Sequence, residues 1–269
     1  MKFNLKTLAA VAGLASTLIL TGCGQEEVKA NSIKVGVIAG AEAQVAEVAA
    51  KVAKEQYGLD VELVVFTDYV TPNAALDDGS IDLNAFQHKP YLDQQVADRD
   101  YKIEVAGRSF LYPIAGYSKQ VTSVEQIEDG ARIAVPNDPT NLGRSLLLLQ
   151  EQGLITLRDG SGLTATVRDI TANPKNITIV ELDAAQLPRS LDDVALSVIN
   201  TTYASSLNLT PEKDGIFVED KESPYVNLIV GRTDNVNTEN VKAFVNAYQS
   251  EEVYQAALTI FKNGVVKGW

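Results

Sequence analysis

VELVVFTDYVTPNAALDDGSIDLNAFQ, residues 61–87, and ITIVELDAAQLPRSLDDVALSVINTTY, residues 177–203, follow one plan. Each opens on a β-rich run (61–66 and 177–182). Each then passes through a short helical segment that Pro72 or Pro188 starts and an Asp-Asp pair ends (Asp77-Asp78, Asp192-Asp193). Each closes on a second β-rich run that ends in asparagine, 81–84 and 196–200. Strand, helix, strand in this order builds a parallel sheet covered by helices. Its appearance twice predicts an α/β protein of two similar lobes, and the absence of a shorter repeat excludes a solenoid.

Outward from the first copy, residues 33–38 form a β-rich run ending in Ala39-Gly40. Residues 41–57 carry Val45, Val48, Ala49, Val52 and Ala53 at helical spacing, and Gly58 stops that helix. Outward from the second copy, residues 132–135 read as a strand and 141–152 as a helix closed by Gly153. Residues 112–118 lead from one lobe to the other, and the β-rich YVNLIVG of 225–231 leads back. Helices over 238–248 and 251–261 then rejoin the first lobe. The expected layout is lobe 1 from 33–113 plus 229–269 and lobe 2 from 114–228, with two hinge crossings near 114–118 and 225–231. A hinge of two strands bends while limiting sideways drift.

The chain of 269 residues is 45% apolar, enough for real cores and too much for disorder. Residues 1–22 read as a signal: Lys2 and Lys6 precede an uncharged apolar run over 7–20. That run ends in Leu20-Thr21-Gly22-Cys23, which resembles the lipobox of bacterial lipoproteins and makes Cys23 the expected lipidated N-terminus. Residues 23–32, polar and without period, read as a tether. Loss of the two signal lysines leaves 21 basic against 35 acidic residues, a net −14. Such a body is repelled by nucleic acid and by anionic membranes, so the lipid is the expected attachment.

His88 is the single histidine and Cys23 the single cysteine. That excludes a metal site built on two histidines, an intramolecular disulfide and a free catalytic thiol. No Gly-x-Ser-x-Gly elbow is present, and Gly36-Val37-Ile38-Ala39-Gly40 matches neither a dinucleotide nor a P-loop pattern. The expectation is a binding protein without cofactor, with an enzyme using His88 as general base as the less favoured alternative.

Ligands of open α/β sheets bind beyond the carboxyl ends of the strands. Those ends carry Tyr69, the loop 84–91, the segment VPNDPTNLGRS of 135–145 and residues 200–203. Arg144, early in a helix behind turn and cap residues, suits a carboxylate gripped by two parallel hydrogen bonds beside free helix N–H groups. Asn200 and Asn227 are either turn formers or amides offered to an ammonium and a carboxylate. Tyr69, Phe86, Tyr91 and Tyr203 suggest an apolar wall, and His88 either touches the ligand or orients its own loop, with Pro90 starting the next helix.

Taken together, LTGC, VGVIAGAEAQVAEVA, NAFQHKPYLDQQ, YPIAGYS, AVPNDPTNLGRSLLLLQ, ESPYVNLIV and the closing VKGW resemble the methionine-binding lipoproteins of bacterial ABC importers, the NlpA/MetQ family. The resemblance runs from the signal to Trp269. It implies a type II-like, two-lobed periplasmic-binding-protein fold that closes on L-methionine. It also implies a monomer, held by its lipid in the cell envelope facing the periplasm, which delivers the ligand to an inner-membrane permease and its ATPase. Arg144 and Asn200 match residues holding the ligand's carboxylate, and Asn227 matches a hinge asparagine at its polar end. Tyr69, Phe86, His88 and Tyr91 match those around the thioether. Where many relatives read Asn-Gly-Asn-Tyr, this chain has Asn200-Thr201-Thr202-Tyr203, a departure at Thr201 and Thr202. Gly24 after Cys23 leaves the choice between inner and outer membrane open. Another amino acid or a short peptide is the alternative ligand.

Overall fold

The computed structural model describes residues 31–269; the expected signal, Cys23 and the tether up to residue 30 lie outside the described residues. The chain opens with β1 (Ser32–Ile38), α1 (Ala41–Tyr57), β2 (Asp60–Phe66), α2 (Thr71–Asp77), β3 (Leu83–His88), α3 (Lys89–Arg99) and β4 (Ile103–Leu111). It then enters a second set: β5 (Ala115–Tyr117), β6 (Arg132–Pro136), α4 (Pro139–Glu151), β7 (Thr156–Leu157), β8 (Ile170–Ala172) and β9 (Thr178–Leu182). The set continues with α5 (Leu187–Ser190), β10 (Leu196–Ile199), α6 (Thr201–Ala204), α7 (Pro211–Asp214) and β11 (Phe217–Val218). It returns through β12 (Val226–Arg232), α8 (Glu239–Tyr248), α9 (Glu251–Ile260) and β13 (Val266–Lys267).

Two larger sheets result. The first has six strands in the order β13-β4-β12-β3-β1-β2, the second five in the order β11-β5-β10-β6-β9. β1 pairs in parallel with β2 and β3, and β6 in parallel with β9 and β10, as the repeated strand-helix-strand plan requires. The sheets are mixed, however, not parallel throughout: β12 runs antiparallel to β3 and β4, and β5 antiparallel to β10 and β11. The cause lies in the passages between sheets. Residues 112–114 leave the first sheet from β4 and residues 219–225 return to it at β12, with no crossover helix to restore a parallel direction. Because β12 begins at Val226, Asn227 belongs to the first sheet, opposite His88 of β3.

Each sheet has its own core. Val45, Ala49, Val52 and Ala53 of α1 are fully buried in one cluster with Val35 and Val37 of β1, Phe244 of α8 and Val253 of α9. The closing helices therefore do pack on the first sheet. Thr238 and Ser250 start them by accepting hydrogen bonds from the N–H groups of Val241 and Val253. Gly58, at φ 64°, ends α1 in the left-handed turn that its lack of Cβ permits. Leu146, Leu149, Ile133 and Val198 centre the second core. Gly143 on α4 has no space for a side chain: a Cβ there would lie 2.2 Å from the Leu163 carbonyl oxygen.

The stretch 84–91, expected as a loop, is the end of a strand and the start of a helix. β3 continues through His88, with all six residues buried, and α3 begins at once. Asn84 and Gln87 interrupt the apolar pattern that would have announced this strand. They are buried without cost to the ladder because they share hydrogen bonds with Asn73 of α2: Asn84 Nδ2 donates to Asn73 Oδ1 at 2.8 Å, and Asn73 Nδ2 to Gln87 Oε1 at 2.8 Å.

Candidate ligand site between the two sheets

The carboxyl end of β3, the start of α4 and the β10–α6 junction meet around a cavity with about 340 Å³ of space free of atoms, its mouth included. Tyr69, Phe86, His88, Tyr91 and Asn227 line it from the first sheet, and Arg144 and Asn200 from the second. The structure thus brings all seven expected residues to one place. Tyr203 sits just behind, its ring 4.9 Å from that of Tyr69.

One wall is aromatic. The ring of Tyr69 lies 5.7 Å from Phe86 and 6.3 Å from Tyr91, and Phe86 meets Tyr91 edge-on at 6.0 Å. Tyr91 donates its hydroxyl to the Tyr69 carbonyl at 2.6 Å, which fixes the turn carrying Tyr69 to α3. The tyrosine hydroxyl is thereby removed from the cavity's polar groups and its ring is left as apolar surface.

The opposite wall is polar, and its orientation is dictated from Asp138. As N-cap of α4, Asp138 accepts from the Asn141 backbone N–H at 2.9 Å, and its second oxygen accepts from Asn141 Nδ2 at 2.9 Å. The free helix N–H groups expected beside Arg144 are thus largely spoken for. With its donor end held by Asp138, Asn141 presents Oδ1 to the cleft. That oxygen accepts from Asn200 Nδ2 at 3.0 Å and faces His88 Nε2 at 3.2 Å.

His88 is held by the same hydrogen bonds. Its Nδ1 accepts the Tyr91 backbone N–H at 3.1 Å, so the proton sits on Nε2 and is donated to Asn141 Oδ1. Burial, with the neighbouring Arg144 charge, lowers its pKa to about 3, and the ring is neutral at physiological pH. Both nitrogens are occupied. Of the two roles the sequence leaves open, the geometry supports orientation: His88 starts α3 and bridges the two sheets, and it offers no free nitrogen to a ligand or to a general-base reaction.

Asn200 is oriented by the same network. One N–H of its Nδ2 is given to Asn141, while Oδ1 is buried with no hydrogen-bond partner among the described residues. What remains for a ligand is that acceptor, suited to an ammonium, beside the second N–H of Nδ2. Asn227 likewise gives one N–H of its Nδ2 to the Phe86 carbonyl at 2.8 Å.

Arg144 is buried, yet most of its fork is taken. Nε donates to Glu219 Oε1 at 2.7 Å, Nη2 to Glu219 Oε2, and Nη2 again to the Tyr112 carbonyl at 3.1 Å. The guanidinium carbon lies 4.3 Å from the centre of the Tyr225 ring. The two parallel bonds expected for a ligand carboxylate are thus made to Glu219, and Nη1 is the part of the fork without a hydrogen bond to the described residues. Glu219 comes from the return passage and Asn141 from the same helix as Arg144; neither stood out in the sequence. Glu219 has no local signal, since its partner is 75 positions away. Asn141 could have been found as the cap-adjacent amide in Asn137-Asp138-Pro139-Thr140-Asn141.

A further buried group joins the sheets beside this cavity. Glu42, in the first turn of α1, accepts a hydrogen bond from the Thr202 hydroxyl, and its other oxygen has no partner among the described residues. Burial pushes its carboxyl up to about 8, so it is mostly protonated at neutral pH. No cluster of metal-ligating side chains occurs among the described residues.

Known proteins are similar to this chain in sequence and fold. A relative from Vibrio cholerae, described as a probable D-methionine-binding lipoprotein MetQ, is 73% identical over 269 residues, the whole of both chains. A nutrient-binding protein from Burkholderia cenocepacia, solved bound to methionine, is 52% identical with a TM-score of 0.87, covering 88% of this chain and 100% of its own. A periplasmic substrate-binding protein of an ABC transporter from Coxiella burnetii is 48% identical with a TM-score of 0.85, again covering 88% and 100%. The family described as NlpA lipoprotein matches residues 33–269, and the chain belongs to it.

Proposed function

We propose that this protein is a lipid-anchored substrate-binding protein that captures methionine and hands it to the permease of an ABC importer, whose ATPase supplies the energy. It is a receptor and not an enzyme. The observation that carries the reading is the polarity of the cavity. An aromatic wall of Tyr69, Phe86 and Tyr91 faces the Nη1 side of Arg144 and the unpaired Oδ1 of Asn200. This is the complement of an α-amino acid with an apolar side chain: carboxylate to Arg144, ammonium to Asn200, side chain among the rings. Asn227 completes the polar end. Methionine suits the wall because its carbon groups gain about 0.8 kcal/mol each on burial, and its sulfur adds about 0.3–1.5 kcal/mol against aromatic rings.

Binding works by closure. Groups that touch the ligand come from both sheets, so only the closed form makes all contacts, and ligand shifts the population towards it. Cys23 carries the lipid that holds the receptor at a membrane of the cell envelope, facing the periplasm where the permease opens. Calorimetry of ligand-stripped protein against L-methionine, D-methionine, norleucine and leucine tests the reading. Methionine binds, and norleucine, which lacks the sulfur, binds roughly tenfold more weakly. Absence of heat with either methionine isomer, or tighter binding of another amino acid, would sink it.

A further inference from the structure

Arg144 and Glu219 deepen that reading, on which the following rests. Glu219 does not line the cavity; it stands behind Arg144 and takes both the Nε and Nη2 hydrogen bonds with its two carboxylate oxygens. The side chains are 3% and 12% exposed, so the pair is screened little by solvent. Glu219 is itself pinned to the outgoing passage: its backbone N–H donates to the Ile114 carbonyl at 3.0 Å, and Oε2 accepts the Ile114 N–H at 3.4 Å. Its position is therefore independent of any ligand.

The consequence is a charge count. Arg144 brings +1 to the site and Glu219 removes it. His88 is neutral because both ring nitrogens are committed to one tautomer. Asn141, Asn200 and Asn227 contribute dipoles only. Asp138, half-buried behind Asn141, adds negative charge and Glu42 is mostly protonated, so the polar end carries no net positive charge; moving a lone carboxylate into it is costly, whereas a molecule carrying one charge of each sign enters as a neutral pair. An uncompensated Arg144 would favour a simple anion instead.

We infer that Glu219 sets the charge selectivity of the site: by neutralising Arg144 from behind, it makes the cavity accept zwitterionic amino acids and reject carboxylates of the same shape that lack the ammonium. It is a positioning residue that acts through Arg144, and it excludes wrong ligands by leaving their charge unpaired.

The test compares L-methionine with its α-hydroxy acid analogue, in which a hydroxyl replaces the ammonium, by calorimetry on wild type and Glu219→Gln. Wild type prefers methionine by about 100-fold or more, the discrimination expected when a buried polar partner is left unmatched. Glu219→Gln, which keeps shape and loses charge, narrows that ratio by about tenfold or more, chiefly by gaining on the anion. Glu219→Asp, which keeps the charge, retains the wild-type ratio. If Glu219→Gln weakens both ligands in parallel, Glu219 is only a brace for the two passages and the inference is overturned. A wild-type ratio below about tenfold overturns it without any variant. Failure of wild type to bind methionine at all would instead count against the methionine reading.

Discussion

His88 shows most plainly how a residue's neighbours decide its chemistry. As the chain's one histidine it invites a catalytic or ligand-touching role, and nothing in the sequence says that Tyr91 N–H and Asn141 Oδ1 already occupy both nitrogens. Its imidazole signals in NMR are free of overlap, so the assignment is directly checkable: the Nε2–H tautomer is present and the ring does not titrate above about pH 4. A midpoint near 6.5 would contradict the network. The folded pKa is lowered below the unfolded value, so the unfolded chain binds the proton first. The contribution of neutral His88 to stability is complete above about pH 6.5 and is lost as pH falls towards 3. Asn200→Ala removes the unpaired acceptor and weakens methionine binding by about 10–100-fold, with a much smaller change in melting temperature. Arg144 and Asn200 were legible as strand-end and helix-start polar residues. The end of each that is left for a ligand was not, because Asn141 and Glu219 decide it, and their contacts join distant parts of the chain.

The elements themselves were mostly written in period and punctuation. α1 reads from its valines and alanines, α4 from its leucines, and the two strand-helix-strand units from their shared plan. The sequence places the end of β3 too early because the amides of Asn84 and Gln87 look like a loop until Asn73 is placed beside them. The mixed sheet direction was hidden too, since it depends on passages that carry no helix. Two predictions belong here. Gly143→Ala forces α4 away from the Leu163 carbonyl, costs about 1–3 kcal/mol in chemical denaturation, and weakens ligand binding because Arg144 rides on the displaced helix. Wild-type binding by this variant would show that α4 need not hold its position. Glu42, at the start of α1, has a folded pKa raised from 4.5 to about 8. The folded state therefore holds the proton more tightly than the unfolded chain. Glu42 is favourable below about pH 4.5, and that contribution is lost as pH rises through about 8. Glu42→Gln, neutral at every pH, gains stability over wild type as pH is raised from 5 to 8, and melting curves across that range check it. A constant difference between the two proteins would mean that Glu42 is ionised in the fold.

At the scale of the whole molecule, two sheets, each with its own core, are joined by two short passages, by a buried cluster that takes Ile38 and Phe86 from the first and Ala134 and Tyr203 from the second, and by polar contacts across the cleft. His88 to Asn141, Glu42 to Thr202, and the Tyr203 hydroxyl to the Thr67 carbonyl at 3.4 Å all connect first-sheet elements with second-sheet elements. Such contacts are made only when the lobes are together, so they and the ligand favour the same state. The two-lobed plan was legible because the chain writes it twice; what the cleft prefers was not, because that depends on which donors and acceptors remain after the lobes have satisfied one another. The most direct test is the structure of the protein crystallised with L-methionine. The thioether will lie among Tyr69, Phe86 and Tyr91, the ammonium against Asn200 Oδ1, and the carboxylate on the Nη1 side of Arg144 with Glu219 still paired behind it. A ligand with its sulfur at the polar wall, or one bound outside this cavity, would contradict the account.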